Sequence, residues 1–293
     1  MIKAESEMAF GDDERYRRWR DDRLELAQHV PTDCVELKSG RLRPAARAAI
    51  VDRCAKYNFV VYGRTPSSAD DAVSQLVSLT EALGLTRLDH TGTGCTDGIA
   101  RLQLSSGEEA EYIPYTNRAL NWHTDGYYNA PSRQVRSFVL HCVSPAEQGG
   151  INQVLDSDLA YIALRDRDRR FINALSRSDV LTIPANRDHN GELIRPARTG
   201  PVFRAEANGR HLHMRYTARS RHVEWVQDEV VKRATRFLSA YLAGHPPEVK
   251  TLQLEAGQGI IANNVLHNRS RYVDHDPARL YLRARFHERV PEC

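Results

Sequence analysis

Apolar positions change their period about a third of the way along the chain. Before that point they recur at helical spacing. "ERYRRWRDDRLELAQH" follows the acidic pair Asp12 and Asp13, and "PAARAAIVDRCAKY" opens on Pro44 at a tolerated first-turn position. "SADDAVSQLVSLTEALG" carries Val73, Leu76, Val77 and Leu83 on one helical face, with Ser68 and Asp71 as a capping-box-like start. "NFVVYG", between the second and third helices, reads as a short buried strand. Residues 1 to about 110 therefore predict an α/β arrangement.

From about Glu111 the period shortens to two. "EYIPY", "QVRSFVLHCV", "NQVLD", "DVLTIPA", "GPVFRAE", "HLHMRY", "KTLQLEAG", "GIIAN" and "LYLRARF" are short strand-like runs parted by turn residues. So many strands at this spacing predict a sandwich or barrel over about 111–290. Two helical stretches interrupt it, "SDLAYIALRDRDRRFINAL" and "HVEWVQDEVVKRATRFLSAYLAG". In the second, Val223, Val226, Val230, Phe237 and Tyr241 keep a helical period, so this helix is expected outside the sheets. With no repeat, low-complexity tract or linker, a single domain over 1–293 is expected.

Composition restricts the class. Hydrophobic residues at 41% and charged ones at 27% match a globular protein, and a net charge of +3 is too small to imply a nucleic-acid partner. The arginine runs "ERYRRWR" and "RDRDRR" are interleaved with acids, as on salt-bridged helix surfaces. Cys34, Cys54, Cys95, Cys142 and Cys293 are scattered without a Cys-x-x-Cys pair, which predicts reduced thiols. The first residues lack the apolar run of a signal peptide, and no segment approaches the ~20 apolar residues of a membrane span. A cytoplasmic protein with no membrane partner is expected.

Candidate chemistry enters with "NWHTDGYYN". On a strand, residues i and i+2 face the same side, so His123 and Asp125 offer an imidazole and a carboxylate to one point. That is two thirds of the facial triad that holds non-haem Fe(II). The spacing alone is weak, because 12 His and 38 acids in 293 residues give roughly 1.6 such pairs by chance. The other pair, His222 and Glu224, falls at the predicted start of a helix, where a spacing of two diverges. Trp122, Tyr127 and Tyr128 suit a dry pocket and equally suit core packing. Downstream, His267 offers a third ligand, and Arg279 follows it by 12 residues. Arg279, Tyr281, Arg283 and Arg285 alternate with Leu280, Leu282, Ala284 and Phe286 in the last strand. Beside a metal such an arginine face binds carboxylates bidentately; elsewhere it is a solvated outer face. With Arg215, these arginines favour a substrate bearing an anionic group.

Taken as an ordered set, these residues resemble the Fe(II)/2-oxoglutarate-dependent dioxygenases grouped with taurine dioxygenase, 2,4-dichlorophenoxyacetate dioxygenase and γ-butyrobetaine hydroxylase. The resemblance runs over roughly residues 50 to 287. "YTNRALNWHTDGYYNAPSRQVRSFVLHCVSPAEQGGINQVLD" is similar to the butyrobetaine branch in its Tyr before the first His, its "LHC" strand and its Gly-Gly pair. The resemblance implies a mainly β fold with flanking helices around a double-stranded β-helix, or jelly-roll, core. It implies Fe(II) on His123, Asp125 and His267, and 2-oxoglutarate on Arg279 with Asn152. It also implies Arg283 on an anionic group of the substrate, and Tyr115, Trp122 and Tyr128 as substrate walls. The implied reaction hydroxylates a small polar molecule, anionic or betaine- or amino-acid-like, while 2-oxoglutarate and O2 yield succinate and CO2. Relatives often form dimers or tetramers.

Two departures qualify the resemblance. The first hundred residues hold no Cys/His cluster able to build the zinc module of butyrobetaine hydroxylase, and a single Tyr115 is not a cage for a trimethylammonium group. Asp125 argues against the halogenase variant, which has Gly or Ala there. Desaturation, a non-catalytic sensor of 2-oxoglutarate or another metabolite, and a cupin-like site at His211 and His213 remain as alternatives.

Overall fold

The computed structural model describes residues 13–38, 41–90, 95–96, 98–106, 112–206, 211–219, 223–274 and 278–291. Its strands outnumber its α-helices among these residues, so the fold is mainly β with helices. Contacts divide the chain into two compact units, each drawn from three stretches of sequence.

The larger unit takes residues 30–121, 133–154 and 250–293. Its main sheet runs in the order Val35–Leu37, Phe59–Arg64, Gln258–Ala262, Ser137–Ser144, Leu280–Phe286, Ile99–Leu102, Cys95–Thr96. The first pair is parallel, and the remaining neighbours are antiparallel. Leu282, Ala284 and Phe286 join a core with Ile50, Val51 and Cys54 of helix Pro44–Tyr57 and with Leu76 and Leu79 of helix Ala69–Ala82. As expected, the Ser68 side chain caps the latter helix by accepting from the Asp71 amide. A second core of Phe59, Tyr115, Phe138, Leu140, Cys142 and Tyr281 fills the other face.

The last strand is therefore covered on both sides. Arg279 and Arg285 are only 1% and 3% exposed, which excludes a solvated arginine face. Arg285 pairs at 3.1 Å with Asp89, whose side chain is fully buried, so its charge is already matched within the protein. A four-stranded sheet follows the order Lys250–Leu252, Asn152–Leu155, Leu266–Arg269, Leu120–His123. "EYIPY" departs from the strand expectation: Ile113–Tyr115 is a 3₁₀ turn, with Pro114 near its start supplying a fixed φ and no amide donor.

The smaller unit combines helix Asp13–Gln28, residues 122–132 and residues 155–249. The expected single helix over "SDLAYIALRDRDRRFINAL" is two, Ser157–Arg167 and Arg169–Leu175. Asp168 has extended backbone, and its carboxylate caps the second helix by accepting from the Arg170 amide. The later helix is shorter than expected, Glu229–Ala243, because Asp228 caps it through the Val230 and Val231 amides. Glu224 and Trp225 form a strand instead, and His222 lies outside the described residues. Helix Asp13–Gln28 is fixed by its polar side chains. Tyr16 donates to Asp166 at 2.8 Å, Arg20 does so at 2.6 Å, and the buried Arg23 pairs with Asp156 and Asp158. Within "ERYRRWR", Arg18 pairs with Glu14, and Arg20 with Asp21 and Asp166.

Arg285→Met leaves the Asp89 carboxylate buried without its counter-charge. Loss of a buried partner costs about 3–5 kcal/mol, so the denaturant midpoint should fall sharply, and Asp89→Asn added to it should restore most of the loss. An unchanged midpoint in the single variant would mean that the pair does not stabilise the sheet.

Candidate metal centre

The strand Leu120–His123 stops at His123, and the chain enters a turn over 125–128. Asp125 therefore reaches the side of His123 by a turn rather than by strand alternation. Gly126 at φ +65 supports that turn, which closes with the Asn129 amide donating to the Gly126 carbonyl at 2.8 Å. Three hydrogen bonds pin the segment. The Thr124 amide donates to Tyr216 O, the Tyr216 amide to Thr124 Oγ1, and the Ala218 amide to Trp122 O. His123 and Asp125 are both buried, with His123 Nε2 3.9 Å from Asp125 Oδ1.

His267 lies on strand Leu266–Arg269, the sheet neighbour of Leu120–His123. Its Nδ1 is 3.0 Å from the Val265 carbonyl, which can only accept, so Nδ1 carries the proton and Nε2 keeps its lone pair for a metal. The Phe138 ring, 4.7 Å away, backs the imidazole. The ligand atoms of His123, Asp125 and His267 all lie within 4.8 Å of one another. Two imidazoles and one carboxylate suit Fe(II) and leave positions open on the ion. His211 and His213 belong to no such group among the described residues.

The larger unit also holds an unusual cation. Arg279 is 1% exposed, yet its hydrogen bonds are few: its amide donates to Asp274 Oδ1, one guanidinium nitrogen reaches Leu102 O at 3.4 Å, and its Nε is buried without a partner. Its charged end instead lies 3.9 Å from the Tyr281 ring centre and 4.9 Å from that of Tyr272. No carboxylate of the described residues forms an ion pair with its guanidinium. A buried charge in this condition fits an incoming carboxylate. Gly149 and Gly150 have positive φ; a Cβ on Gly149 would sit 2.2 Å from Arg271 O, and one on Gly150 would sit 3.5 Å from Arg279 Nε. The pair thus lets backbone pass close to the guanidinium. Asn152 is buried just beyond, its Nδ2 3.5 Å from Gly150 O.

Arg269, which sequence reasoning missed, shares a strand face with His267. It donates to the carbonyls of Pro114, Thr116 and Arg118, and so straps down the loop that leads into Leu120–His123. Burial, and secondarily the Arg279 charge, push its pKa down to about 10.

In the smaller unit the Tyr127 ring meets His123 edge-on at 6.5 Å, Tyr128 meets Tyr127 at 5.1 Å, and Arg195 lies 5.8 Å from the Tyr128 ring centre. Arg198 Nε is buried without a partner. Arg215 is unlike the anion contact expected of it: it donates to the carbonyls of Tyr127, Leu181, Gly200 and Arg198, so it braces the turn. Strand alternation turns Trp122 away from His123. Tyr115 is buried with Phe138 and Tyr281 in the second core, and Arg283 is half-buried opposite Leu140. Arg195 and Arg198 had no signal beyond their composition.

Two imidazoles and one carboxylate are the ligand set of the non-haem Fe(II) oxygenases. Residues 30–285 match the family model "Taurine catabolism dioxygenase TauD, TfdA family". The chain belongs to the TauD/TfdA family, whose members are Fe(II)/2-oxoglutarate-dependent dioxygenases. It is similar to uridine-5'-phosphate dioxygenase of a Streptomyces species, 31% identical over 61% of this chain and 65% of that protein. It is also similar to a uridine-5'-phosphate dioxygenase of an Amycolatopsis species, 27% identical over 76% of this chain and 91% of that protein. Among solved structures, the non-haem iron oxygenase OrfP, in complex with Fe, succinate and (3S)-hydroxy-L-Arg, shares the fold. The TM-score is 0.61 at 14% identity, covering 95% of this chain and 86% of that one. No helix among the described residues is long and apolar enough to cross a membrane.

Asp125→Ala and His267→Ala should each weaken Mn(II) binding by about 100-fold or more, followed by the loss of free-ion signal in electron paramagnetic resonance titrations. His213→Ala should leave it unchanged. The opposite order of effects would move the metal to the "HLH" strand.

Proposed function

We propose that this protein is an Fe(II)- and 2-oxoglutarate-dependent dioxygenase that hydroxylates a small anionic metabolite, and that the anionic group is a phosphate ester such as that of a nucleoside 5'-phosphate. The observation that carries the reading is the buried Arg279, which no carboxylate of the described residues ion-pairs, in the same chain as the His123, Asp125 and His267 cluster. The jelly-roll core belongs to this reading too, supported by the antiparallel pairing in the seven-stranded sheet and by the likeness to solved oxygenases.

In this reading His123, Asp125 and His267 hold the metal, with His267 oriented by its bond to Val265. When bound, Fe(II) supplies activation of O2 coupled to decarboxylation of 2-oxoglutarate to succinate and CO2. Arg279 takes the distal carboxylate of the co-substrate, and Asn152 steadies it from strand Asn152–Leu155. Tyr127 and Tyr128 wall the substrate side with apolar surface next to His123 and limit water there. Arg195, Arg198 and Arg283 supply positive charge for the substrate's anion. Burial lowers the Arg195 pKa, and its tyrosine neighbours partly offset this, with no carboxylate among the causes. Such fixed contacts hold one C–H bond at the reacting position. The two uridine-5'-phosphate dioxygenases it resembles favour the phosphate ester over a sulfonate or betaine.

The protein supplied with Fe(II), 2-oxoglutarate and O2 should release succinate slowly without substrate, and His123→Ala should abolish the release. A wild-type protein that binds 2-oxoglutarate yet makes no succinate would be a sensor instead. Arg279→Ala should raise the half-saturating 2-oxoglutarate concentration by about 30-fold or more while leaving that of iron alone; equal effects on both would end the clamp assignment.

Uridine 5'-phosphate should stimulate succinate release more than uridine does, and Arg195→Ala should narrow that difference. No response across phosphate esters, carboxylates and amines alike would sink the anionic-substrate reading.

A further inference from the structure

We infer that Tyr272 is a second ligand to the distal carboxylate of 2-oxoglutarate, its hydroxyl donating to the same group that Arg279 holds; this rests on the proposed co-substrate reading. Tyr272 lies on the short strand Tyr272–Val273, paired with Gln148–Gly149, so that it stands directly opposite Gly149. It is 1% exposed, and its hydroxyl is buried with no hydrogen-bond partner. A buried phenol without a partner loses its bond to water and gains nothing in return.

The side chains around it do not resolve this. Arg269 and Arg279 lie 5.0 and 4.9 Å from the ring centre, and a guanidinium carries only donors. The hydroxyl proton needs an acceptor that neither arginine provides. Arg279 Nε is likewise buried without a partner, and a Cβ on Gly150 would sit 3.5 Å from both Arg279 Nε and Tyr272 Cβ, so both side chains pack against the same glycine. One carboxylate satisfies both, since its two oxygens offer about four acceptor sites, enough for a bidentate arginine and a phenol together. The unmet donors here, the Tyr272 hydroxyl and Arg279 Nε together with Arg269 Nε, are complemented by a carboxylate, which brings two acceptor oxygens and no donor.

Binding is measured without turnover by calorimetric titration of 2-oxoglutarate into the Mn(II)-loaded full chain. Tyr272→Phe keeps the ring and its cation contacts and removes only the hydroxyl. It should bind 2-oxoglutarate about tenfold more weakly, with Mn(II) affinity unchanged. With 2-oxobutanoate, which lacks the distal carboxylate, wild type and variant should bind alike. Equal 2-oxoglutarate affinity in both proteins overturns the assignment, because the hydroxyl then contacts nothing on the ligand. An equal penalty for both oxo acids also overturns it, since the hydroxyl then acts on packing alone. A wild-type protein that binds neither oxo acid fails at the functional reading itself and takes this assignment with it.

Discussion

A guanidinium taken out of water must find an acceptor, and the neighbourhood of Arg279 supplies almost every other kind of contact. Tyr281 and Tyr272 offer ring faces, Leu102 a distant carbonyl, and the Gly149–Gly150 backbone close passage without side chains. Arg285, six residues further along the chain, shows the alternative: Asp89 meets its charge at 3.1 Å. The two arginines share burial, yet among the described residues only Arg285 meets a carboxylate. That difference is what the proposed clamp role of Arg279 rests on.

The same logic separates braces from contacts elsewhere. Arg215 and Arg269 are buried cations whose donors go to backbone carbonyls, so each fixes a loop beside a prospective metal ligand. Both have pKa values pushed down to about 10 by burial, which still leaves them charged at neutral pH. Arg215 holds the turn that presents Asp125, and Arg269 holds the approach to His123. The ligand cluster is thus positioned by guanidinium-to-carbonyl bonds that are indifferent to the chemistry at the ion.

Much of this was legible in the sequence because the decisive features are periodic or locally capped. Ser68 and Asp71 marked a helix start that the structure has, and the alternating strand from Arg279 to Phe286 was visible as a period of two. What escaped had physical causes. Asp168 and Asp228 were read as ordinary helix residues, although their carboxylates stop or start helices by capping. Period alone could not tell that both faces of the last strand are covered, since an arginine's burial depends on what packs over it. Tyr272 lies in a two-residue strand, too short for any pattern, and its importance rests on a missing partner that only coordinates reveal.

The interleaving of the two units bears on how the chain is made. Helix Asp13–Gln28 docks through Arg23 onto Asp156 and Asp158, more than 130 residues downstream, while the larger unit needs its last strand from Leu280 onward. The smaller unit draws on residues as far as 249 and the larger on residues as far as 293, so each needs segments far apart in the chain. Its assembly is dominated by long loop closures, which are slow and keep apolar strand faces exposed meanwhile. Strand Phe59–Arg64 likewise waits for its neighbour Gln258–Ala262, so apolar strand faces of the larger unit stay uncovered through much of synthesis.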